Sequence, residues 1–245
     1  MPENILVAKN MTMRFGGLIA INDVSIHLKK GEILGLIGAN GAGKTTLFNM
    51  MSGVLTPTAG VIEFKGRSIK NPKAHQMARL GIGRTYQICQ PFINMTVIEN
   101  TMVGALLRYP NTGKARKKAQ EMLDLVGIGE KCNAQGHDLT LPELKRMEVA
   151  RALATEPTVL LLDEVMAGLN PRECERVIQM VRSIRDTAGI SIIIIEHVMR
   201  AIMNLSDRIY VLNQGLLIAE GSPLEISKDP EVIKSYLGES KHAQH

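Results

Sequence analysis

The sequence has few aromatic residues and no long apolar run. It contains no Trp, and only 3% of its residues are aromatic, so a surface that stacks nucleic-acid bases is not expected. No apolar run reaches the roughly 18 residues that a membrane-spanning helix needs. We therefore expect no nucleic-acid partner, and we expect that any attachment to a membrane goes through another protein.

Cysteine is also scarce. The three cysteines, Cys89, Cys132 and Cys174, are odd in number and show no C-x-x-C spacing, and no signal peptide precedes them. These features favour reduced thiols in a cytosolic compartment. Buried or inert thiols are the simplest interpretation of all three, because a free cysteine packs as a small hydrophobic residue.

The remaining composition is that of an ordinary globular protein. The chain has 245 residues, of which 45% are hydrophobic and 22% charged, and these values fit one large α/β domain. The net charge of +5 permits contact with an acidic surface but does not by itself indicate one. No internal repeat is present, and the polar tail at 239–245 is expected to fray.

Hydrophobic patterning predicts strands that alternate with helices, as in a parallel sheet. A buried strand, EILGLIG, leads into a glycine-rich loop and the helix TTLFNMMSG. A mostly helical block is predicted at about 92–155, and its basic run in YPNTGKARKKAQ is expected to be a solvated helix face. Further strands are predicted at 5–8, 19–28, 60–65, 158–163 and 190–196.

The glycine-rich loop matches the P-loop pattern G-x-x-x-x-G-K-[ST] between a strand and a helix. Glycines allow successive N–H groups to face phosphate oxygens, and the helix that follows presents its positive end to the same anion. Lys44 is expected to reach the β- and γ-phosphates, and the Thr45 hydroxyl to bind Mg²⁺. The residues of the pattern are Gly38, Ala39, Asn40, Gly41, Ala42, Gly43, Lys44 and Thr45.

Two acids and a histidine follow later apolar strands. Asp163 ends the run Val159–Leu162 and could hold Mg²⁺ through water, while Glu164 could orient and deprotonate an attacking water. His197 follows IIIIE, at the strand edge where parallel sheets bind ligands. A lone histidine is more often structural, but a neutral imidazole there could contact a γ-phosphate.

Six segments, in this order, resemble the ATP-binding-cassette (ABC) ATPases: the P-loop, GRTYQ with Gln87, ELKRMEVARAL, LLLDE, AGLNP and IIIEH. Finer features, above all the ending DPEVIKSYLGE, are similar to the ATPase subunits of branched-chain amino-acid importers. The resemblance implies an α/β fold: a P-loop NTPase (RecA-like) core with a parallel sheet, a small antiparallel β subdomain and an inserted helical subdomain at about 90–155. It also implies that residues 1–245 form a single domain.

The resemblance also assigns roles to individual residues. Phe15 would stack on adenine, although simple core packing is an alternative for this residue. Residues 38–46, ending at Thr46, would hold the phosphates of ATP. Gln87 would help to hold Mg²⁺ and the attacking water, Asp163 would support Mg²⁺, Glu164 would be the general base and His197 the switch residue. Asn170 would lie at a dimer interface, and Val165 stands where relatives usually have proline.

The segment before ELKRMEVARAL departs from the family. Relatives usually have Leu-Ser-Gly-Gly-Gln here, a signature loop that grips the γ-phosphate held by a second subunit. This chain has Leu139 followed by Thr140, Leu141, Pro142 and Glu143. Locally these residues form a T-x-x-E capping box, so the helix should start normally, at Leu141 or one residue later. Proline donates no N–H, leucine adds bulk and glutamate adds charge, so a weaker grip is expected, with only the Thr140 hydroxyl retained.

Three functions are consistent with these motifs. The favoured one is the ATPase subunit of an importer for branched-chain amino acids, with another amino acid or an amide as alternative cargo. A soluble ABC ATPase would be expected to carry coiled-coil insertions or a second cassette, and a non-hydrolysing scaffold to lack Lys44, Glu164 or His197. The favoured function implies permease subunits contacting the region near Gln87, a different ATPase subunit as dimer partner, a periplasmic or extracellular binding protein, and a peripheral location at the cytoplasmic face of the membrane.

Overall fold

The structure is a computed structural model that describes residues 3–237, so the predicted frayed tail at 239–245 lies outside the described residues. The chain divides into two compact units. The first combines Met1–Gln76 with Ser191–His245, and the second is Met77–Ile190. Within the described part of the chain, no helix combines the length and the apolar character needed to cross a membrane.

Ten strands and nine α-helices are found between residues 3 and 237. The strands are β1 (Asn4–Phe15), β2 (Leu18–Lys29), β3 (Ile33–Gly38), β4 (Ala59–Phe64), β5 (Arg67–Ile69), β6 (Ile82–Arg84), β7 (Val159–Asp163), β8 (Ser191–Ile195), β9 (Arg208–Asn213) and β10 (Leu216–Gly221). The helices are α1 (Lys44–Met51), α2 (Ala74–Leu80), α3 (Val97–Ala105), α4 (Thr112–Leu125), α5 (Leu141–Leu153), α6 (Pro171–Ala188), α7 (Met199–Leu205), α8 (Pro223–Ile226) and α9 (Pro230–Leu237).

The first unit contains an antiparallel sheet in the order β2-β1-β4-β5. The sequence predicted only 5–8 for its central strand β1, and this was too short. The register of β1 shifts between Ala8 and Met11, where Asn10 adopts a positive φ of 49°. The shift moves the buried positions from Leu6 and Ala8 to Met11 and Met13. Beyond the shift, buried and exposed residues alternate again, but the buried residues are now at odd-numbered positions. A search for strict alternation in the sequence therefore ends the strand at the irregularity.

A second sheet of the first unit carries β3 between β8 and β9, and both neighbours run parallel to it. All six residues of β3 are buried, which accounts for its continuous apolar sequence. Leu36 of β3 pairs with Ile195 of β8. Because parallel strands end at the same edge, the residues that follow these two strands emerge side by side.

The second unit pairs β6 with β7 in parallel and contains the helices α3, α4 and α5. The sequence predicted one mostly helical block at about 92–155, whereas the structure divides this region into separate helices. Residues 92–96 form a loop before the capping box at Thr96, and α4 begins separately at its own N-cap, Asn111. The basic run lies on α4, where Lys114, Arg116 and Lys117 are exposed, as the interpretation of a solvated face predicted.

Candidate active site

The P-loop joins β3 to α1 without a side-chain cap on the helix. The N-cap residue of α1 is Gly43, which has φ 102° and makes no side-chain hydrogen bond to the helix start. The first N–H groups of any α-helix lack a carbonyl partner within the helix. In α1 these donors, together with the positive end of the helix dipole, suit an anion such as a phosphate.

Two glycines of the loop leave no space for a side chain. A Cβ added at Gly38 would lie 2.1 Å from the carbonyl oxygen of Leu212, and one at Gly43 would lie 2.5 Å from Cδ1 of Ile21. Both residues also have positive φ angles, which L-residues rarely adopt. Glycine at these two positions is therefore required by packing as well as by backbone conformation.

Lys44 is buried, with 5% of its surface exposed, and its ammonium group lies against the loop itself. The Nζ atom donates to the carbonyl oxygens of Gly38, at 2.6 Å, and of Ala39, at 2.8 Å. These contacts hold the positive charge inside the loop, where a phosphate would compete with the two carbonyls for it.

His197 and Phe15 occupy positions in the first unit that suit ligand contacts. His197 is exposed two residues after β8, at the same edge of the sheet as the P-loop that follows β3. Phe15 ends β1 with 48% of its surface exposed. That exposure argues against core packing and leaves part of the ring accessible to a ligand.

The acids and Gln87 come together in the second unit, at the carboxyl edge of β6 and β7. The amide Nε2 of Gln87 donates to Oε2 of Glu164 at 2.8 Å. Asp163 is almost fully buried, its backbone N–H donates to Oγ1 of Thr85 at 3.0 Å, and its carboxylate lies 3.4 Å from Arg84. An amide-held carboxylate beside a second acid is an arrangement suited to activating a water molecule.

Glu164 also has an unusual backbone conformation. Its φ angle is 50°, in the left-handed region that non-glycine residues seldom occupy. The ammonium group of Lys145, on α5, donates to the carbonyl oxygen of Glu164 at 2.7 Å. Such conformations persist where the surroundings hold them, and they often occur at functional sites.

Sequence reasoning missed Lys145 and its neighbour Glu148. Both are buried, at 5% and 4% exposure, and Glu148 accepts hydrogen bonds from the N–H of Tyr86 at 3.2 Å and from the thiol of Cys89 at 3.1 Å. A signal was available: the two charged residues are three apart on the helix face that they share with the apolar residues Val149 and Ala152. Charged residues on the buried, apolar face of a helix need partners, so their presence there indicates specific polar contacts in the fold.

The signature loop starts α5 in the predicted way. Thr140 is the N-cap, the capping box is present, and the helix begins at Leu141, the earlier of the two predicted starts. The Glu143 carboxylate accepts from the Thr140 N–H at 2.9 Å and forms an ion pair with Lys131. Burial alone would raise the pKa of Glu143, but Lys131 and Thr140 together bring it below its usual value.

These contacts correct part of the prediction for the signature loop. The Glu143 charge was expected to oppose an anion, yet it is turned back onto the helix start and neutralised by Lys131. The Thr140 hydroxyl was expected to remain as a ligand, yet it bonds to the Glu143 carboxylate. The loop is therefore less repulsive to a phosphate, and also poorer in donors, than the sequence indicated.

Oxygen donors of the kind that magnesium prefers occur in each of the two units. Mg²⁺ usually takes one or two carboxylates together with substrate phosphates, rather than a cage made only of protein atoms. The second unit offers donors of that kind in the Asp163 carboxylate and the Gln87 amide oxygen, and the first unit offers the Thr45 hydroxyl. Within residues 3–237, no group of three or more His, Cys, Asp or Glu side chains could hold a metal ion.

No disulfide joins Cys89, Cys132 and Cys174, all of which lie within residues 3–237. Cys174 is buried, and Cys89 and Cys132 are half-buried. Burial and the neighbouring Glu148 carboxylate raise the pKa of Cys89 to about 12, so this thiol stays protonated and acts as a hydrogen-bond donor.

Comparison with solved structures defines the fold as that of an ABC ATPase cassette. A nucleotide-free ATP-binding cassette from an ABC transporter superposes with a TM-score of 0.88 at 30% identity, covering 96% of this chain and 99% of that one. The structure of an ATP-binding cassette of an ABC transporter in its ADP conformation gives a TM-score of 0.87 with the same identity and coverage. The predicted P-loop NTPase core with its antiparallel β subdomain is thereby confirmed.

Sequence comparisons agree. The ABC transporter family model matches residues 21–167, and the model for branched-chain amino acid ATP-binding cassette transporters matches residues 217–242. The branched-chain amino acid transport ATP-binding protein LivG of Salmonella typhimurium is 40% identical over 98% of this chain and 100% of its own length. BraF of Pseudomonas aeruginosa, described in the same words, is 37% identical with the same coverage. The chain belongs to the ATP-binding subunits of ABC transporters, which bind and hydrolyse ATP.

Proposed function

We propose that the chain energises the import of branched-chain amino acids. The support is the branched-chain family match at 217–242 and the full-length similarity to LivG and BraF. Another cargo is the alternative, and one observation favours it: the lipopolysaccharide export protein LptB of Escherichia coli is also 36% identical over 96% of this chain. Uptake of labelled leucine by the reconstituted transporter, with unlabelled amino acids and amides as competitors, distinguishes the two. Failure of leucine to be taken up or to compete would reject this cargo.

The proposed reaction is hydrolysis of Mg-ATP by in-line attack of water. The P-loop N–H groups and Lys44 bind the phosphates, Phe15 stacks on the base, and Thr45, Asp163 and Gln87 would hold Mg²⁺. When bound, Mg²⁺ neutralises charge on the phosphate oxygens. Gln87 orients the water, Glu164 takes its proton, and His197 contacts the γ-phosphate. We propose that residues 1–245 carry out this reaction as a single cassette.

One observation carries the catalytic part of the proposal. The 2.8 Å hydrogen bond between Gln87 and Glu164 places the amide that would orient the water beside the carboxylate that would take its proton. We expect that Glu164→Gln keeps ATP binding, because it leaves the phosphate contacts intact, and stops turnover in the assembled complex. Glu175→Gln, a change of the same chemistry at an exposed residue of α6, is the control. Wild-type turnover in the Glu164→Gln complex would show that Glu164 is not the base.

We propose that the partners are permease subunits and a second, different ATPase subunit, with a periplasmic or extracellular protein delivering the cargo. The chain would then lie at the cytoplasmic face of the membrane. Exposed apolar side chains in the segment after β6, including Ile88 at 70% and Ile93 at 57% exposure, support a protein contact there. Membrane fractionation in cells that lack the permease tests the attachment, and continued membrane association would contradict it.

A further inference from the structure

Helix α5 contacts both Glu164 and the loop that carries Gln87. Lys145 donates to the backbone carbonyl of Glu164 at 2.7 Å. One turn further along the helix, Glu148 accepts from the N–H of Tyr86 and from the thiol of Cys89. Tyr86 and Cys89 lie on either side of Gln87, so α5 fixes both the residue that carries the carboxylate and the loop that carries the amide.

The contacts form a closed ring. It runs from the Glu164 carboxylate to Gln87, through the loop to Glu148, along one turn of α5 to Lys145 and back to the Glu164 carbonyl. Arg151 extends the same helix face, donating to the carbonyl of Gln90 at 3.3 Å and lying 3.7 Å from the Glu148 carboxylate. In a closed ring each bond restrains the others, so the carboxylate and the amide are held at a fixed separation.

The burial of these charges indicates a role beyond packing. Lys145 and Glu148 are each at least 95% buried, and removing charges from water is costly even when they are paired. Apolar side chains of similar volume would fill the same space without that cost. Burial raises the pKa of Glu148, and the hydrogen bonds from Cys89 and Tyr86 oppose that rise by stabilising its charged form.

The backbone of Glu164 gives the Lys145 contact a specific task. A left-handed conformation at a residue with a side chain is sparsely populated unless neighbouring groups enforce it. The carbonyl that accepts from Lys145 belongs to this strained residue. Removal of the ammonium group would allow the backbone to relax, and the Glu164 carboxylate would move with it.

We propose that Lys145 and Glu148 are positioning residues for ATP hydrolysis, which hold the Glu164 carboxylate and the Gln87 amide where the attacking water must bind. The inference rests on the proposed role of Glu164 as general base. Neither side chain touches ATP in this scheme. Their loss should therefore lower kcat and leave the KM for ATP nearly unchanged, because misplacement of a reacting group by about 1 Å can reduce a rate by roughly 100-fold.

The test measures the steady-state ATPase of the complete transporter carrying Lys145→Met. We expect kcat to fall about 10- to 100-fold with the KM for ATP within about twofold of wild type. Lys145→Arg restores a cationic donor and should recover kcat to within about threefold of wild type. Arg146→Met, the same kind of change at the next residue of α5, is the control and should have wild-type kinetics.

The Glu148 side of the ring is tested in the same way. Glu148→Leu removes the acceptor for Tyr86 and Cys89 and should lower kcat about as much as Lys145→Met. Glu148→Gln keeps an amide oxygen for the Tyr86 N–H and should lose less. Because both residues act on one pair, the double variant Lys145→Met/Glu148→Leu should lose less than the product of the two single losses.

Several outcomes would overturn the inference. These are wild-type kcat in Lys145→Met, an equal loss in Arg146→Met, a rise in KM at unchanged kcat, or no recovery in Lys145→Arg. If Lys145→Met fails to assemble, Glu148→Leu, which removes the other buried charge of the ring, decides by the same kinetic criteria. Glu164→Gln in the same assay separates the two proposals. Full ATP turnover in Glu164→Gln would reject Glu164 as the general base. An inactive Glu164→Gln together with a fully active Lys145→Met would reject only the positioning role.

Discussion

Two helices of this chain start at loops that the ABC family uses to hold ATP, and the two starts are built in opposite ways. Helix α1 begins after Gly43 with no side-chain cap. Helix α5 begins after Thr140 with a complete capping box and with proline in its first turn. A glycine start leaves backbone N–H groups for a ligand, whereas at the start of α5 proline removes one N–H and the Glu143 carboxylate accepts the N–H of Thr140.

The comparison separates helix stability from ligand binding. By the usual rules of capping, α5 has the better start, since Ser or Thr at the N-cap and Glu three residues later stabilise a helix by about 1 kcal/mol. By the same rules α1 has the poorer start and is the better anion site. Local stability and phosphate affinity therefore compete for the same few N–H groups.

The largest expected effect concerns Lys44. In a complex with a second ATPase subunit, the P-loop of this chain would be closed by the partner's signature loop and would form the main hydrolytic site. The partner's P-loop would be closed by Thr140–Glu143, which would make that second site the weaker one. Lys44→Ala should then abolish most of the ATPase activity, because a charge-assisted contact worth roughly 1.5–3 kcal/mol is lost at the main site. The equivalent change in the partner should cost less. Equal losses, or a larger loss from the partner's lysine, would reject the asymmetry.

The next effect concerns the glycines of the P-loop. Gly38→Ala should lower the free energy of unfolding by roughly 3–5 kcal/mol, as backbone strain adds to overpacking against Leu212. Gly41 is the matched control, since a Cβ there meets nothing within 4 Å, although its φ is 77°. Gly41→Ala should cost only about 1–2 kcal/mol. Chemical denaturation of the two variants measures both values, and similar costs would contradict the role given to Leu212.

A smaller effect is expected from restoring glycine to the signature loop. The double variant Leu141→Gly/Pro142→Gly returns an N–H donor and removes bulk, so the second nucleotide site should bind ATP about 10-fold more tightly. The free energy of unfolding should fall by about 1–2 kcal/mol, because glycine weakens the helix start. Nucleotide titration of the complex, with the main site blocked by Lys44→Ala, provides the measurement. Unchanged affinity would show that Leu141 and Pro142 do not limit the grip.

The smallest effect concerns Lys131. Lys131→Met removes the cation that neutralises Glu143, so the second site should lose about two- to threefold in ATP affinity, as expected for a partly exposed ion pair. The pKa of Glu143 should rise as well, because an ion pair that lowers it has gone. In the background of Glu143→Gln the Lys131 change should have no effect, and a loss that persists there would contradict the explanation.

The parts of the site predicted from sequence are those made by short, contiguous segments. The P-loop depends on a strand, eight residues and a helix, and all of these can be read within 20 residues. The acids at 163 and 164 were found because a buried apolar strand ends there. The proposed roles of these residues in catalysis are still predictions, because position alone does not establish chemistry.

The parts that could not be predicted depend on packing between distant segments. Lys145 and Glu148 contact residues about 20 and 60 positions away, so their partners are set by how α5 lies against β6 and β7. The pair Lys131–Glu143 depends on the path of the chain between α4 and α5. The early end predicted for β1 has another cause, because the irregularity at Asn10 shifts which alternate sequence positions are buried.

The left-handed backbone at Glu164 limits which amino acids this position can accept. Asparagine and aspartate enter that conformation more readily than other side chains, and β-branched residues are the worst suited. In a library of variants at position 164, ATP turnover should therefore depend on whether the residue carries a carboxylate. The yield of folded protein should depend on whether the residue is branched at Cβ. A descendant that gave up hydrolysis could replace the glutamate with glutamine or asparagine without rebuilding the end of the strand, whereas valine or isoleucine would require the neighbouring backbone to change as well.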